Sequence, residues 1–301
     1  MHRRDLLTAT VLAGAALSAL SDAQAATTPT KVRRPVVTRD GASLFVRDWG
    51  TGEPIVFLAG WALCSDMWAY QMAPLSDAGF RCVAYDRRGH GKSDDPGGGY
   101  DYDTMADDLA AVLDTLDLRG VTLVAHSMAG GEAVRYLSRH GKAGRVKKVL
   151  FLAPALPFLT QTPDNPTGVP LDLLEQGRKA FLADFPKWIE DNTAPFVTPE
   201  TSQPMRTWLK TQMMQTSMKA VLDCNRAMIS TDFRPELARF ALPCLIIHGD
   251  KDASAPLEIT GKRVAALVPG CELKVYAGAP HGLFVTHTAR LNADIEAFAL
   301  R

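Results

Sequence analysis

An excess of charge of either sign is what this sequence most plainly lacks, since 33 basic side chains meet 33 acidic ones across 301 residues. A balanced chain sets up no global field, which excludes the electrostatic routes to nucleic acid, to an anionic membrane or to a strongly charged substrate. Its partners are expected to be small and near neutral. Cysteine is scarce as well: Cys64, Cys82, Cys224, Cys244 and Cys271 are odd in number and scattered, so no disulfide framework is implied. Cys82 and Cys244 lie in or beside apolar runs and are expected to be small core residues. No C-x-x-C pair and no His/Cys cluster has ligand spacing, so no metal is expected. There is no internal repeat, and the single low-complexity stretch, Gly97-Gly98-Gly99, reads as a turn.

What is present starts with an export signal. Met1-His2-Arg3-Arg4-Asp5-Leu6-Leu7 leads into an Ala/Leu-rich run that ends at Ala23-Gln24-Ala25, and cleavage is expected after Ala25. Ser18, Ser21 and Asp22 interrupt the run before the roughly 20 residues of a membrane span, so no stable membrane insertion is expected. Arg3-Arg4 resembles a twin-arginine signal, with an ordinary Sec signal as the alternative. The expected destination is the periplasm or the exterior.

After a connector over 26–34, Pro35-Val36-Val37 and Leu44-Phe45-Val46 flank Asp40-Gly41 as a β-hairpin, the antiparallel start of a sheet. Short apolar runs at 55–58, 81–85, 121–125, 146–152, 245–248 and 273–276 then alternate with helical spacing at 105–116, 131–139, 259–267 and 291–300. That alternation implies an α/β fold, a mostly parallel sheet covered by helices on both faces. One stretch, 156–237, has no strand pattern, only Leu-, Met-, Phe- and Trp-rich helical candidates divided by Pro163, Pro166, Pro170, Pro195, Pro199 and Pro204. It reads as a helical cap inserted between the core segments 35–155 and 238–301, over the carboxyl edge of the strands where open α/β sheets bind ligands. Met213, Met214, Met218 and Met228 either line an apolar chamber there or join cap to core.

Chemistry concentrates in Val121-Thr122-Leu123-Val124-Ala125-His126-Ser127-Met128-Ala129-Gly130-Gly131, a strand, a sharp turn with serine at its apex, then a helix. This is a nucleophile elbow, with Ala125 and Ala129 at the two small positions where glycine is usual. A serine at its ordinary pKa is a poor nucleophile and needs a base oriented by an acid. Both follow in the order used by such folds. Asp250 and Asp252 lie in the loop after the 245–248 strand, Asp252 being preferred because it is further into that loop, and His281 follows the last strand. His126 and His248 read as structural, His90 as part of a turn, and His140 and His287 as surface or helix-end residues. The oxyanion donors are expected to be the backbone N–H groups of Met128 and Trp61. Both residues are also candidates for substrate binding, and the Trp61 indole is expected either to wall the acyl pocket or to pack beneath the cap.

Gly60-Trp61, Asp66-Met67-Trp68, Tyr70-Gln71-Met72, Asp86-Arg87-Arg88-Gly89-His90-Gly91-Lys92-Ser93 and Tyr100-Asp101-Tyr102-Asp103-Thr104 accompany this elbow. Together they resemble the cofactor-free bacterial haloperoxidase, perhydrolase and arylesterase group of the α/β-hydrolase fold, densely over 54–157 and again over 242–281. The resemblance implies hydrolysis of small carboxylic esters through an acyl-enzyme formed on Ser127, with Asp252 and His281 completing a triad and no haem or metal. Perhydrolysis, in which hydrogen peroxide replaces water, is the alternative, followed by lactone or carbon-carbon bond hydrolysis and, more remotely, ligand binding without catalysis. Two departures stand out. Ala59 takes the place of the family's usual histidine, and Ala62 that of the proline common in members favouring perhydrolysis, which tilts the expectation towards an esterase.

Overall fold

Parallel strands buried on both faces read as near-continuous apolar runs, and those at 55–58, 82–85 and 245–247 obey that rule, while Lys147, Lys148 and Lys274 interrupt the runs at 146–152 and 273–276. The computed structural model describes residues 35–301; the export signal and connector expected over 1–34 lie outside the described residues. In chain order the first elements are β1 (Val36–Val37), β2 (Ser43–Leu44), β3 (Val46–Trp49), β4 (Pro54–Leu58), α1 (Ala69–Asp77) and β5 (Arg81–Tyr85). Next come α2 (Tyr102–Thr115), β6 (Val121–His126), α3 (Ala129–His140) and β7 (Val146–Leu152). The insertion follows as α4 (Leu171–Ala183), α5 (Phe185–Phe196), α6 (Gln203–Met213), α7 (Met218–Ser230) and α8 (Arg234–Leu237). The chain closes with β8 (Cys244–Gly249), α9 (Gly261–Leu267), β9 (Glu272–Tyr276), α10 (Leu283–Thr286) and α11 (Thr288–Leu300).

Among the described residues the main sheet has seven strands in the order β3-β5-β4-β6-β7-β8-β9, parallel except for β3. The alternation of side chains along a strand sorts the core into two layers. Val56, Leu58, Leu123, Phe151 and Ile246 pack with α2 and α3 on one face. Ile55, Phe57, Val124, Leu150 and Ile247 pack with α1 and α11 on the other. The expected hairpin exists, with Val36 opposite Leu44, but it forms its own two-stranded sheet. The antiparallel edge of the main sheet is instead β3, whose four residues pair with β5. Its four residues are too few to separate it from the hairpin in sequence.

The insertion is helical, as the prolines suggested. Asp184, Ser202 and Ser217 cap α5, α6 and α7 by accepting the amides of Lys187, Met205 and Ala220. Pro204 sits in the first turn of α6, where its missing N–H is harmless. The short α8 returns to the core, with Leu237 buried in the layer shared with α3, so the roof itself is α4 to α7. No helix among the described residues is long and apolar enough to cross a membrane.

The cysteines depart from expectation. Cys244 is bonded to Cys271, while Cys64, Cys82 and Cys224 are free and buried. Leu245 faces Glu272 across the β8–β9 ladder, which puts Cys244 and Cys271 side by side at the amino ends of two adjacent parallel strands, with Cα atoms 4.7 Å apart. Their separation of 27 residues conceals that pairing until the strand register is known. Cys244 is thus a crosslink as well as a core residue.

Candidate active site

β6 ends at His126, and the chain reverses at Ser127 with φ 55, a left-handed conformation that costs a non-glycine residue strain. Three bonds hold the turn: the Ser127 amide donates to Leu152 O at 3.0 Å, and Ser127 O accepts the amides of Gly130 and Ala155. Ala125 and Ala129 are fully buried, so the methyl groups at the usual glycine positions are accommodated. The Ser127 hydroxyl donates to His281 Nε2 at 2.9 Å, and His281 Nδ1–H donates to Asp252 Oδ2 at 2.6 Å. Asp252 Oδ1 accepts the amides of Ser254 and Ala255 at 2.9 and 2.7 Å. Burial would raise the Asp252 pKa, but the charge on His281 and the bonds from His248, His281 and the Ala255 amide outweigh it and hold the carboxyl well below its ordinary value. Asp250 is exposed and caps a turn by accepting the Gly278 amide. This hydrogen-bonded line can take the hydroxyl proton as the oxygen attacks an electrophile, and it keeps the imidazole in the tautomer that does so.

Neither the Trp61 nor the Met128 amide finds an acceptor among the described residues. Two N–H groups beside Ser127 are therefore available to a developing oxyanion. A buried network joins the segments that carry them. Arg87 donates to Glu132 Oε2 at 2.7 Å, to Ala59 O at 2.5 Å and to Gly60 O at 3.5 Å, while the Tyr85 hydroxyl donates to Glu132 Oε1. Glu132 belongs to α3, the helix that follows Ser127, and Ala59-Gly60 precedes Trp61. One ion pair thus fixes the two amides relative to each other. Gly60 is required there, because a Cβ would stand 2.5 Å from His126 Nδ1. Ala62 closes the loop at φ 57, a value proline cannot adopt.

Above Ser127 opens a cavity of about 360 Å³ lined by Trp61, Phe181, Trp188, Phe196, Met213 and Met228 among others. Trp61 lies both on the cavity and beneath the helical insertion. Its indole walls the cavity and also donates to Val221 O of α7 at 2.9 Å, packing against Phe181 with ring centres 5.0 Å apart and planes tilted by 41°. Met213 and Met228 line the chamber, whereas Met214 and Met218 are 53% and 38% exposed and contribute nothing to it. The Met128 side chain is not on the cavity either. It is fully buried in the sheet-facing core, and only its amide reaches the site.

The family model described as alpha/beta hydrolase fold matches residues 53–288. The chain belongs to that family. A non-heme chloroperoxidase of Kitasatospora aureofaciens is 40% identical over 251 residues, 82% of this chain and 91% of that one. A bifunctional esterase/perhydrolase of Acinetobacter calcoaceticus is 37% identical over 272 residues, 87% and 98% of the two chains. Among solved structures, a bromoperoxidase from Bacillus anthracis superposes with a TM-score of 0.85 at 36% identity, covering 89% of this chain and 99% of that one. An esterase from Exiguobacterium antarcticum does so with a TM-score of 0.86 at 30% identity, with the same coverage. The haloperoxidase and esterase resemblance read from the motifs is thus carried by relatives spanning nearly the whole described chain.

Two features of this α/β hydrolase were not read from its sequence. His248, taken as a strand residue, is fully buried and brings Nε2 to 3.1 Å from Asp252 Oδ2 and 2.8 Å from Ala255 O. It approaches the same carboxylate oxygen that His281 Nδ1 does. Arg87 and Glu132 stood in motifs read only as markers of likeness, and their 45-residue separation hid the pair. A buried arginine needs an acid, and that requirement is the available signal. His126 behaves as expected of a structural residue: it is fully buried, and its Nε2 lies 3.2 Å from His281 O. Among the described residues no cluster of three or more His, Cys, Asp or Glu could hold a metal ion.

Proposed function

We propose that this chain is an exported serine hydrolase that cleaves small, uncharged carboxylic esters through an acyl-enzyme. Ser127 Oγ attacks the ester carbonyl while His281 Nε2 takes its proton, and the oxyanion forms against the amides of Trp61 and Met128. As the tetrahedral intermediate collapses, the bond to the alcohol oxygen breaks and His281 returns the proton to that leaving group. Water, deprotonated by His281, then releases the acid and restores Ser127. Asp252 stabilises the imidazolium in both halves. The observation that carries this reading is the unbroken Ser127–His281–Asp252 line at the floor of an apolar cavity. Export accords with the Cys244–Cys271 disulfide, which persists in an oxidising compartment.

Perhydrolysis is the second reading, favoured by relatives named haloperoxidase and esterase/perhydrolase. Hydrogen peroxide then attacks the acyl-enzyme in place of water and leaves with the acyl group as a peracid. Against its dominance stands Ala62, whose φ of 57 gives the loop a course closed to the proline of perhydrolase-like members. Labelling the mature protein with a fluorophosphonate, beside a p-nitrophenyl ester series run with and without peroxide, tests both. Wild type is expected to label and turn over, and Ser127→Ala to lose both, by roughly 10⁶-fold in turnover. A wild-type protein that takes no label would end the esterase reading, and peracid formation faster than hydrolysis would exchange the two readings.

A further inference from the structure

The cavity that receives the ester holds one polar side chain that nothing in the protein satisfies. Asn225 lies on α7, four residues after Val221, so the two share a face of the helix. Val221 is fully buried against Phe181 and Phe185, and Met228 and Ile229, the next residues along that face, also line the cavity. Helical periodicity therefore calls for an apolar residue at 225. Asparagine stands there instead, 8% exposed, with no hydrogen bond to its side chain and with Oδ1 buried and unpartnered. Leaving such an amide unsatisfied costs stability, and asparagine is a poor interior residue for a helix.

Of the other polar side chains on the cavity wall, only His126 keeps a buried unpartnered atom, its Nδ1, and that atom lies against Gly60. Ser127, His126 and His281 form the floor. Asn192 Nδ2 donates to Trp188 O at 2.8 Å and Thr193 Oγ1 to Ile189 O at 2.6 Å, both within their own helix, and Ser254 is exposed at the rim. Among the described residues no Asp, Glu, Lys or Arg lines the cavity. A charged substrate group would lose its water there without gaining a counter-ion. A neutral group that donates or accepts a hydrogen bond gains one from Asn225, whose amide offers either function by a half-turn about its last torsion.

We propose that Asn225 is a substrate-recognition residue that binds a hydroxyl or an amide carried by the ester at a distance from its carbonyl. The proposal rests on the esterase reading above and narrows its substrate to esters with one neutral polar group on an otherwise apolar frame. Asn225 selects and orients; it takes no part in the proton transfers.

The test compares wild type with Asn225→Leu, a near-isosteric apolar change, on plain esters and on matched esters with a hydroxyl or an acetamido group. That group is stepped along the acyl half in one series and the alcohol half in the other, and release is followed by pH-stat. At one position in one series, wild type is expected to favour the polar ester over its plain partner by roughly 10- to 100-fold more than Asn225→Leu does in kcat/KM. Whether hydroxyl or acetamido gives the larger ratio separates the two sources of the bond. The same preference in both proteins at every position would overturn the proposal while leaving the esterase reading intact. Absence of label and of turnover in wild type would remove both. Melting the free proteins supplies an independent readout: Asn225→Leu is expected to keep or raise Tm, since it removes an unpartnered amide. A fall in Tm together with unchanged selectivity would mark Asn225 as merely structural.

Discussion

At and beneath the floor of the cavity, the Ser127–His281–Asp252 line and the Arg87–Glu132 pair are each held by directional bonds to one another and to backbone groups. The roof of α4 to α7 is held mainly by rings and aliphatic chains, with only a few hydrogen bonds crossing to the core. Those include Trp61 Nε1 to Val221 O, Thr216 Oγ1 to Ala62 O and the Gly282 amide to Phe196 O. Directional bonds fix atoms to the tenths of an ångström that proton transfer needs, while apolar contact fixes only volume and tolerates exchange. Rate should therefore depend on the floor and selectivity on the roof.

The sharpest way to break that division is at the acid. Asp252→Asn presents an amide to His281 Nδ1, favours the wrong tautomer, and is expected to lower kcat by about 10⁴-fold, whereas Asp250→Asn should cost less than about tenfold. Steady-state rates of the two variants decide it; equal losses would mean the acid function is shared. Next in size is Glu132→Gln, which removes the charge paired with buried Arg87 and loosens the loop that carries the Trp61 amide. A fall in kcat of about 10²-fold with KM little changed is expected, comparable to losing one oxyanion donor. A protein that only melts earlier, at full kcat, would place Arg87 and Glu132 with the scaffold rather than the floor. Smaller again is Phe181→Ala in the roof. It enlarges the chamber and should move the optimum of an ester chain-length series towards longer substrates, changing kcat/KM on the shortest by less than about tenfold. The smallest effect is on stability against pH. Burial, reinforced by the Arg87 charge, lowers the His90 pKa from its ordinary 6.5 to about 3. The unfolded chain therefore takes up this proton first, and stability falls as pH drops from about 6.5 towards 3. His90→Gln should make the decline of Tm over that range shallower.

The same division governs what could be read before folding. Central strands announce themselves as largely apolar runs, so β4 to β8 were legible to within a residue or so at each end, as was the edge strand β9 despite Glu272 and Lys274. Ser127, Asp252 and His281 were legible because each sits at a fixed place after its own strand, and chain order alone aligns them. Contacts between segments distant in sequence were not. Arg87 with Glu132, His248 beside Asp252, and Cys244 with Cys271 appear only when strand order and register bring them together. The roof was legible as helical but not in its facing: Met213 and Met228 turn inward while Met214 and Met218 turn out. Prolines mark where such helices start without saying how they roll against the core.

The bond between Cys244 and Cys271 changes the connectivity of the chain in a way its peptide order hides. It encloses β8, Asp252 and α9 in a covalent ring and leaves His281 on the tail beyond it. A protease that cut once inside that ring would produce no free fragment: the piece carrying His281 would remain attached through sulfur to the piece carrying Ser127. Only a reductant would then release it, so a nicked molecule would run as one chain on a non-reducing gel and as two after thiol treatment.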